Sequence, residues 1–156
     1  TSGSGKTTLL KEIKKNLMNR EDITVGYMPQ NYNEVLPPNV KSIDYILSAL
    51  EHDESELITS YMGRIKLTWE EMNTVTSKLS SGQKAKLILL HMMLSKNNVL
   101  LLDEPTRNIS ALSNPVVRKI LQSYMGAIIS ISHDRKYLLE VCDTVYELTA
   151  DGLIKH

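Results

Sequence analysis

Apolar residues recur along this chain at two periods, and the alternation between them outlines its elements. Leu9, Leu10, Ile13 and Leu17 fall at helical spacing, with Lys11, Lys14 and Lys15 on the opposite, solvated face. Ile23–Met28 reads as a strand ended by Pro29-Gln30, and residues 31–40 as a loop marked by Pro37-Pro38. From Ser42 to Thr76 the pattern is helical: Ile43, Ile46, Leu47 and Leu50 make one stripe. Leu57, Ile58, Tyr61 and Met62 make a second, stopping at Gly63, and Thr68 with Glu71 has capping-box spacing for a third short helix. Ser80 or Ser81 caps a helix running to about Lys96, and Val99–Leu102 is an apolar run of the buried parallel-strand type. Asn114 as N-cap and Pro115 at N1 start a helix ending at Gly126. Ala127–Ile131 reads as another buried strand, Asp134 opens a further helix, and Thr144–Leu148 with Leu153–Lys155 flank a hairpin turn at Asp151-Gly152. Strand and helix alternate, so the expected class is α/β with a mostly parallel sheet and a helical subdomain inserted at about residues 40–78.

Composition narrows this picture only a little. The 156 residues suit one domain with a real core, and 42% hydrophobic with 23% charged residues is ordinary for a globular chain. Eighteen basic residues balance eighteen acidic ones, so charge gives no argument for a nucleic-acid partner. The single cysteine, Cys142, excludes an internal disulfide, fits a reducing compartment and reads as a small buried hydrophobe. No apolar run approaches the roughly 18 residues a membrane span needs, so no direct membrane insertion is expected.

Chemistry changes the picture far more. Ser2–Thr8, SGSGKTT, is most of the phosphate-binding pattern G-x-x-x-x-G-K-[ST]. Gly3 and Gly5 let backbone N–H groups turn toward phosphate oxygens, Lys6 supplies a cation for the β and γ phosphates, and the Thr7 hydroxyl is the expected Mg²⁺ ligand. The pattern's first glycine would precede Thr1, so the expectation is a fragment that begins inside its own motif, lacks the strand leading into it, and is inactive alone. Asp103 and Glu104 end the apolar strand, where an α/β sheet presents its ligands. Adjacent side chains point in different directions there, so Asp103 is assigned to the metal and Glu104 to polarising the attacking water. Ser80-Ser81-Gly82-Gln83 forms a second anion-binding helix start. One nucleotide does not need two such starts from one domain, so this one is read as capping the γ-phosphate held by a partner's P-loop. Gln30, at a strand end, can reach metal or nucleophilic water, and His133 can hydrogen-bond the γ-phosphate.

In this order, the five elements resemble the ATP-binding cassette (ABC) ATPases across essentially the whole chain. Thr1, Ser2, Gly3, Ser4, Gly5, Lys6, Thr7 and Thr8 look like Walker A, Gln30 like the Q-loop and residues 79–83 like the signature motif. Residues 99–104 look like Walker B and His133 like the switch histidine. The resemblance implies a P-loop NTPase of ABC type, using ATP and Mg²⁺, that dimerises head-to-tail with a second cassette from the same chain or a homodimer. Residues 79–156 would then carry the signature, Walker B, D-loop, switch histidine and C-terminal hairpin.

The short interval from Lys6 to Gln30, the YMPQN sequence and the SHDRKYL run resemble the ABC-F branch, soluble cytoplasmic twin-cassette proteins that act at the ribosome, some protecting it from antibiotics. YMPQ looks most like the second of their two cassettes. The alternatives are the nucleotide-binding subunit of a membrane transporter, a chromosome-maintenance type cassette, and a binding module without turnover. Three departures stand out. The adenine-stacking aromatic is not in the chain, Ser81 stands where the family usually has glycine, and Ile109-Ser110 replaces the usual Leu-Asp, removing a D-loop carboxylate.

Overall fold

Four consecutive apolar residues, Val99 to Leu102, lie at the centre of the sheet in the computed structural model, which describes residues 5–156. The strand Val99–Asp103 (β2) pairs in parallel with Val25–Met28 (β1) on one side and Ala127–Ile131 (β3) on the other. Side chains alternate between faces along a strand, so Leu101 packs under the helix Lys6–Met18 (α1) with Leu10 and Tyr27. Leu100 and Leu102 face the larger cluster built on the helix Ser81–Leu94 (α5). Covered on both faces, β2 has no position for a polar residue until its end.

β3 departs from the buried strand expected. Ala127 and Ile129 are exposed and the rest half-buried, because among the described residues β2 flanks it on one side only. β1 starts at Val25 rather than Ile23, since the Thr24 amide and hydroxyl are engaged by Asn98.

The helical pattern over 42–76 resolves into short pieces: Ser42–Leu47 (α2), Ile58–Arg64 (α3) and Trp69–Asn73 (α4), with 3₁₀ turns at His52–Leu57 and Thr76–Lys78. Gly63 does not end the second stripe. It sits inside α3, and the chain turns instead at Lys66, whose φ is +58°. Leu57 lies outside α3 and is exposed. The two ends of this segment run side by side: Lys41 bridges Val75, Ser42 N–H donates to the Thr74 carbonyl at 3.0 Å, and Thr76 N–H to the Val40 carbonyl at 2.8 Å. Ile46, Met62, Ile65 and Met72 join Leu87, Ile88 and Met92 of α5 in one core, so these short helices are held by packing, not by their own length.

Smaller boundaries also move. α5 stops at Leu94, with Lys96 at φ +54°. The next helix, Asn114–Gln122 (α6), has Ser113 as N-cap and Asn114 already inside, because the Ser110 carbonyl accepts from both Ser113 and Asn114 N–H. It ends at Gln122, where the Ser123 hydroxyl and amide close the last turn on Ile120. Asp134 caps Arg135–Val141 (α7), accepting from Lys136 and Tyr137 N–H. Tyr146–Thr149 (β4) and Gly152–Lys155 (β5) form the hairpin, but Gly152 is paired with Thr149, so its loop is Ala150-Asp151. Cys142 is half-buried, and burial raises its thiol.

Candidate functional site

Three parallel strands end at the same edge: Met28 lies level with Leu102 and Ser130, and Asp103 and Ile131 form the row beyond them. Gln30 follows β1, Glu104 follows β2 and His133 follows β3, and α1 starts above the same edge. A parallel sheet puts its ligand-facing loops there.

Gly5 enters α1 at φ +79°, a left-handed conformation that glycine adopts at no steric cost. Thr7, in the first turn, donates from Oγ1 to Asp103 Oδ2 at 2.8 Å. Gln30 Nε2 donates to the other oxygen, Asp103 Oδ1, at 3.0 Å, and lies 3.4 Å from Thr7 Oγ1. Asp103 is thus a buried carboxylate, 1% exposed, with both oxygens engaged. Hydroxyl and carboxylate side by side are hard oxygen donors of the kind Mg²⁺ prefers, and that ion keeps several waters and needs few protein ligands. The set fits it. Among the described residues no group of three or more His, Cys, Asp and Glu could hold a metal.

Glu104 is where the backbone is strained. Its φ of +54° is left-handed, uncommon outside glycine and concentrated at functional sites. The turn separates its carboxylate from that of Asp103 and aims it at His133. The His133 ring Nδ1 bonds Glu104 Oε1, and the His133 backbone N–H donates to Glu104 Oε2 at 3.3 Å. On the far side of the ring, Lys6 Nζ lies 3.3 Å from Nε2. An ammonium cannot accept, so Nε2 accepts and the ring proton sits on Nδ1, facing Glu104. Lys6, His133 and Glu104 therefore form one continuous chain of contacts.

Thr8 is exposed in the same helical turn as Thr7. Thr1, Ser2, Gly3 and Ser4 lie outside the described residues.

The Ser80–Gln83 turn is elsewhere, and no described hydrogen bond joins it to the sheet-edge cluster. Ser80 Oγ accepts from Gln83 N–H at 3.2 Å, and Gln83 Oε1 accepts from Ser80 N–H at 2.8 Å, a complete capping box. The first amides of a helix have no intrahelical acceptor, which leaves those of Ser81 and Gly82 pointing out of α5. Ser80 and Ser81 are exposed. At Gly82 a Cβ would come within 2.7 Å of the Asn108 carbonyl, so only glycine lets the loop after β2 pass this close.

Asn108, Tyr32 and Arg107 escaped the sequence reading. Asn108 Nδ2 donates to the Tyr32 hydroxyl at 2.9 Å, and all three wall a cavity of about 370 Å³ with Gln30, Asp103 and Glu104. Burial raises the Tyr32 hydroxyl, while the Asn108 hydrogen bond and the Arg107 charge offset part of that rise. These residues meet only through the fold, so spacing gave no signal. Glu71 was also missed beyond its own cap: its second oxygen accepts from Gln83 Nε2. Ser110 accepts on its own hydroxyl from Ser113 N–H, a local turn at the start of α6.

Comparison with known proteins adds to this geometry. The family model described as ABC transporter matches residues 1–107. ABC transporter F family member 5 of Arabidopsis thaliana is 28% identical over 99% of this chain and 23% of its own length. The erythromycin resistance ATP-binding protein MsrA of Staphylococcus epidermidis is 29% identical over 99% of this chain and 29% of its own. The chain thus spans about a quarter of the length of these curated relatives. Among solved structures, a dimeric ATP-binding cassette in a post-hydrolysis state, bound to ADP and Pi, superposes with TM-score 0.70 at 17% identity, over 88% of this chain and 73% of that one. At that identity the likeness is one of fold. No helix among the described residues is long and apolar enough to cross a membrane.

Proposed function

Because the chain belongs to the ABC transporter family and is an ATP-binding cassette of that family, we propose that it hydrolyses ATP with Mg²⁺ as one half of a head-to-tail cassette pair, in a cytoplasmic ABC-F-type factor acting at the ribosome. The observation that carries this reading is the unbroken contact chain Lys6–His133–Glu104 beside the Thr7–Asp103–Gln30 triangle, all at one sheet edge.

Residues 1–8 cradle the triphosphate, Lys6 placing its charge on the β and γ phosphates. Thr7 and Asp103 hold the metal, with Gln30 oriented by its bond to Asp103; bound there, Mg²⁺ neutralises phosphate charge. Glu104 polarises water toward the γ-phosphorus, and His133, its proton on Nδ1 toward Glu104, accepts from Lys6 at Nε2 and so steers that ammonium to the γ-phosphate side. Water attacks the γ-phosphorus and gives up a proton toward Glu104 as the bond to the β-phosphate oxygen breaks, yielding ADP and Pi. Ser80–Gln83 offers its free amides and hydroxyls to the γ-phosphate bound by the partner cassette, from the same chain or a second copy.

Replacing Glu104 by Gln leaves ATP binding intact and slows turnover by about 10²–10³, the scale of losing one polar group at a reacting centre. Unchanged turnover would remove Glu104 from its role. The ABC-F assignment is supported by the relatives with F-family and resistance names and by YMPQN around Gln30. Co-sedimentation of the Glu104→Gln protein with ribosomes in ATP tests it. A permease gene beside this one, with no ribosome association, would make the protein the nucleotide-binding subunit of a transporter instead.

A further inference from the structure

Two capping boxes in this molecule are locked to each other. In the first, Thr68 N–H donates to Glu71 Oε2 at 2.8 Å and Glu71 N–H to Thr68 Oγ1 at 3.2 Å. In the second, Ser80 and Gln83 do the same at the start of α5. A capping box normally ends at the helix it caps. Here Glu71 keeps a second oxygen, Oε1, and Gln83 donates its Nε2 to it. Every hydrogen-bonding atom of both side chains that can be used is used: one carboxylate oxygen for each helix start, and the amide's acceptor for Ser80 with its donor for Glu71.

We infer that Glu71 is a positioning residue for the Ser80–Gln83 turn, holding it ready for a partner's γ-phosphate through the Gln83 side chain. This rests on the reading of that turn proposed above. The physical reason is orientation. A lone amide can flip, and a flipped Gln83 would turn its Nε2 donor toward Ser80 N–H and open the box. With Glu71 accepting from Nε2, only one orientation satisfies both neighbours. Ser80 Oγ is then fixed as acceptor for Gln83 N–H, which leaves its own proton directed outward, beside the free amides of Ser81 and Gly82. Glu71 belongs to α4 in the helical segment, so the turn is tied to that segment as well as to its own helix. Movement of the helical segment therefore moves the turn. Burial lowers the Lys86 amine, one helical turn from Gln83; the Glu71 charge offsets part of that lowering and the Lys66 charge adds to it.

The test uses the intact protein in a Glu104→Gln background, with labels on the two cassettes reporting the ATP concentration for half-maximal closure and calorimetry reporting ADP affinity. Glu71→Ala raises the ATP requirement about tenfold, the worth of one charge-assisted hydrogen bond. ADP affinity stays unchanged, since ADP has no γ-phosphate to meet the turn. Gln83→Glu alone sets two carboxylates face to face and raises the requirement too. The double exchange Glu71→Gln with Gln83→Glu restores it, because the bond between the two side chains re-forms with donor and acceptor reversed while each still accepts from its own cap N–H. Normal closure by Gln83→Glu, or a double variant as defective as the single one, would overturn the inference. Ser81→Glu separates the two levels: an acidic residue in the first turn suits the helix but repels a phosphate. If Ser81→Glu closes normally, the turn does not meet a phosphate and both readings fall. If Ser81→Glu is defective while the Glu71 and Gln83 variants are normal, only the role of Glu71 falls.

Discussion

At the sheet edge, Thr7 reaches Asp103 across 96 positions of chain and His133 reaches Glu104 across 29. At the start of α5, Ser80 and Gln83 satisfy one another across three. The first region is assembled by strand pairing and exists only when β1, β2 and β3 are in register. The second is a local device that the chain can form wherever α5 forms. Yet the local device is the one with outward amides, and the assembled region is the one whose polar groups already answer each other. On the function proposed above, the first region does the chemistry and the second is presented to a partner.

The comparison can be broken at several strengths. The largest effect belongs to Glu104→Gly, which removes the carboxylate and lowers turnover by about 10²–10³. Glu104→Ala loses the same bonds to His133, but only glycine accepts the left-handed backbone of position 104 without penalty. Glu104→Gly is therefore expected to be about 1 kcal/mol more stable than Glu104→Ala in chemical denaturation. Equal stability of the two variants would mean that position 104 stores no strain. Next comes Gly82→Ala, whose Cβ would press on the Asn108 carbonyl; about 1–3 kcal/mol of destabilisation is expected, against the gain alanine gives an ordinary helix. A stabilised variant would show that the turn and the loop after β2 are not held together. Ser80→Ala removes the cap and costs about 1 kcal/mol. A negligible cost would show that Glu71 and Gln83 alone hold the helix start.

The smallest effect is pH-dependent and lies under the helical segment. His91 stacks on Tyr45 with ring centroids 4.2 Å apart, and burial lowers its imidazole below the ordinary 6.5. The unfolded chain therefore takes up the proton first. Stability is greatest above pH 6.5 and falls as pH drops below it, until the folded imidazole is protonated too. Urea denaturation at about pH 7 and about pH 5.5 measures the slope, and His91→Gln flattens it. An equal slope in both proteins would assign the acid sensitivity elsewhere.

How far the chain could be read follows the same division. The capping box at Thr68 was legible because its signal is a fixed spacing, and β2 because a strand covered on both faces must be apolar throughout. At the start of α5 the sequence leaves Ser80 or Ser81 open, and the structure makes Ser80 the cap with Gln83 closing its box. The convergence of Lys6, Thr7, Gln30, Asp103, Glu104 and His133 on one sheet edge was legible through motif order, which stands in for strand register. Three features were not. The breakup of 42–76 into short helices was hidden because Gly63 is tolerated in α3 while Lys66, with no compositional mark, makes the turn. The Asn108–Tyr32 and Glu71–Gln83 bonds were hidden because each joins side chains whose proximity depends on packing. The exposure of β3 was hidden because its residues are as apolar as those of β2, and composition does not say how many neighbours a strand has.

The central claim is that the turn at Ser80–Gln83 meets the triphosphate held by another cassette's P-loop. Pulsed electron resonance between a spin label at Lys78, exposed two residues before the turn, and one beside the partner's P-loop, in the Glu104→Gln protein, measures this directly. ATP should collapse the distance distribution to a short, narrow one while ADP leaves it long and broad; a distribution that ATP does not shorten would contradict the account.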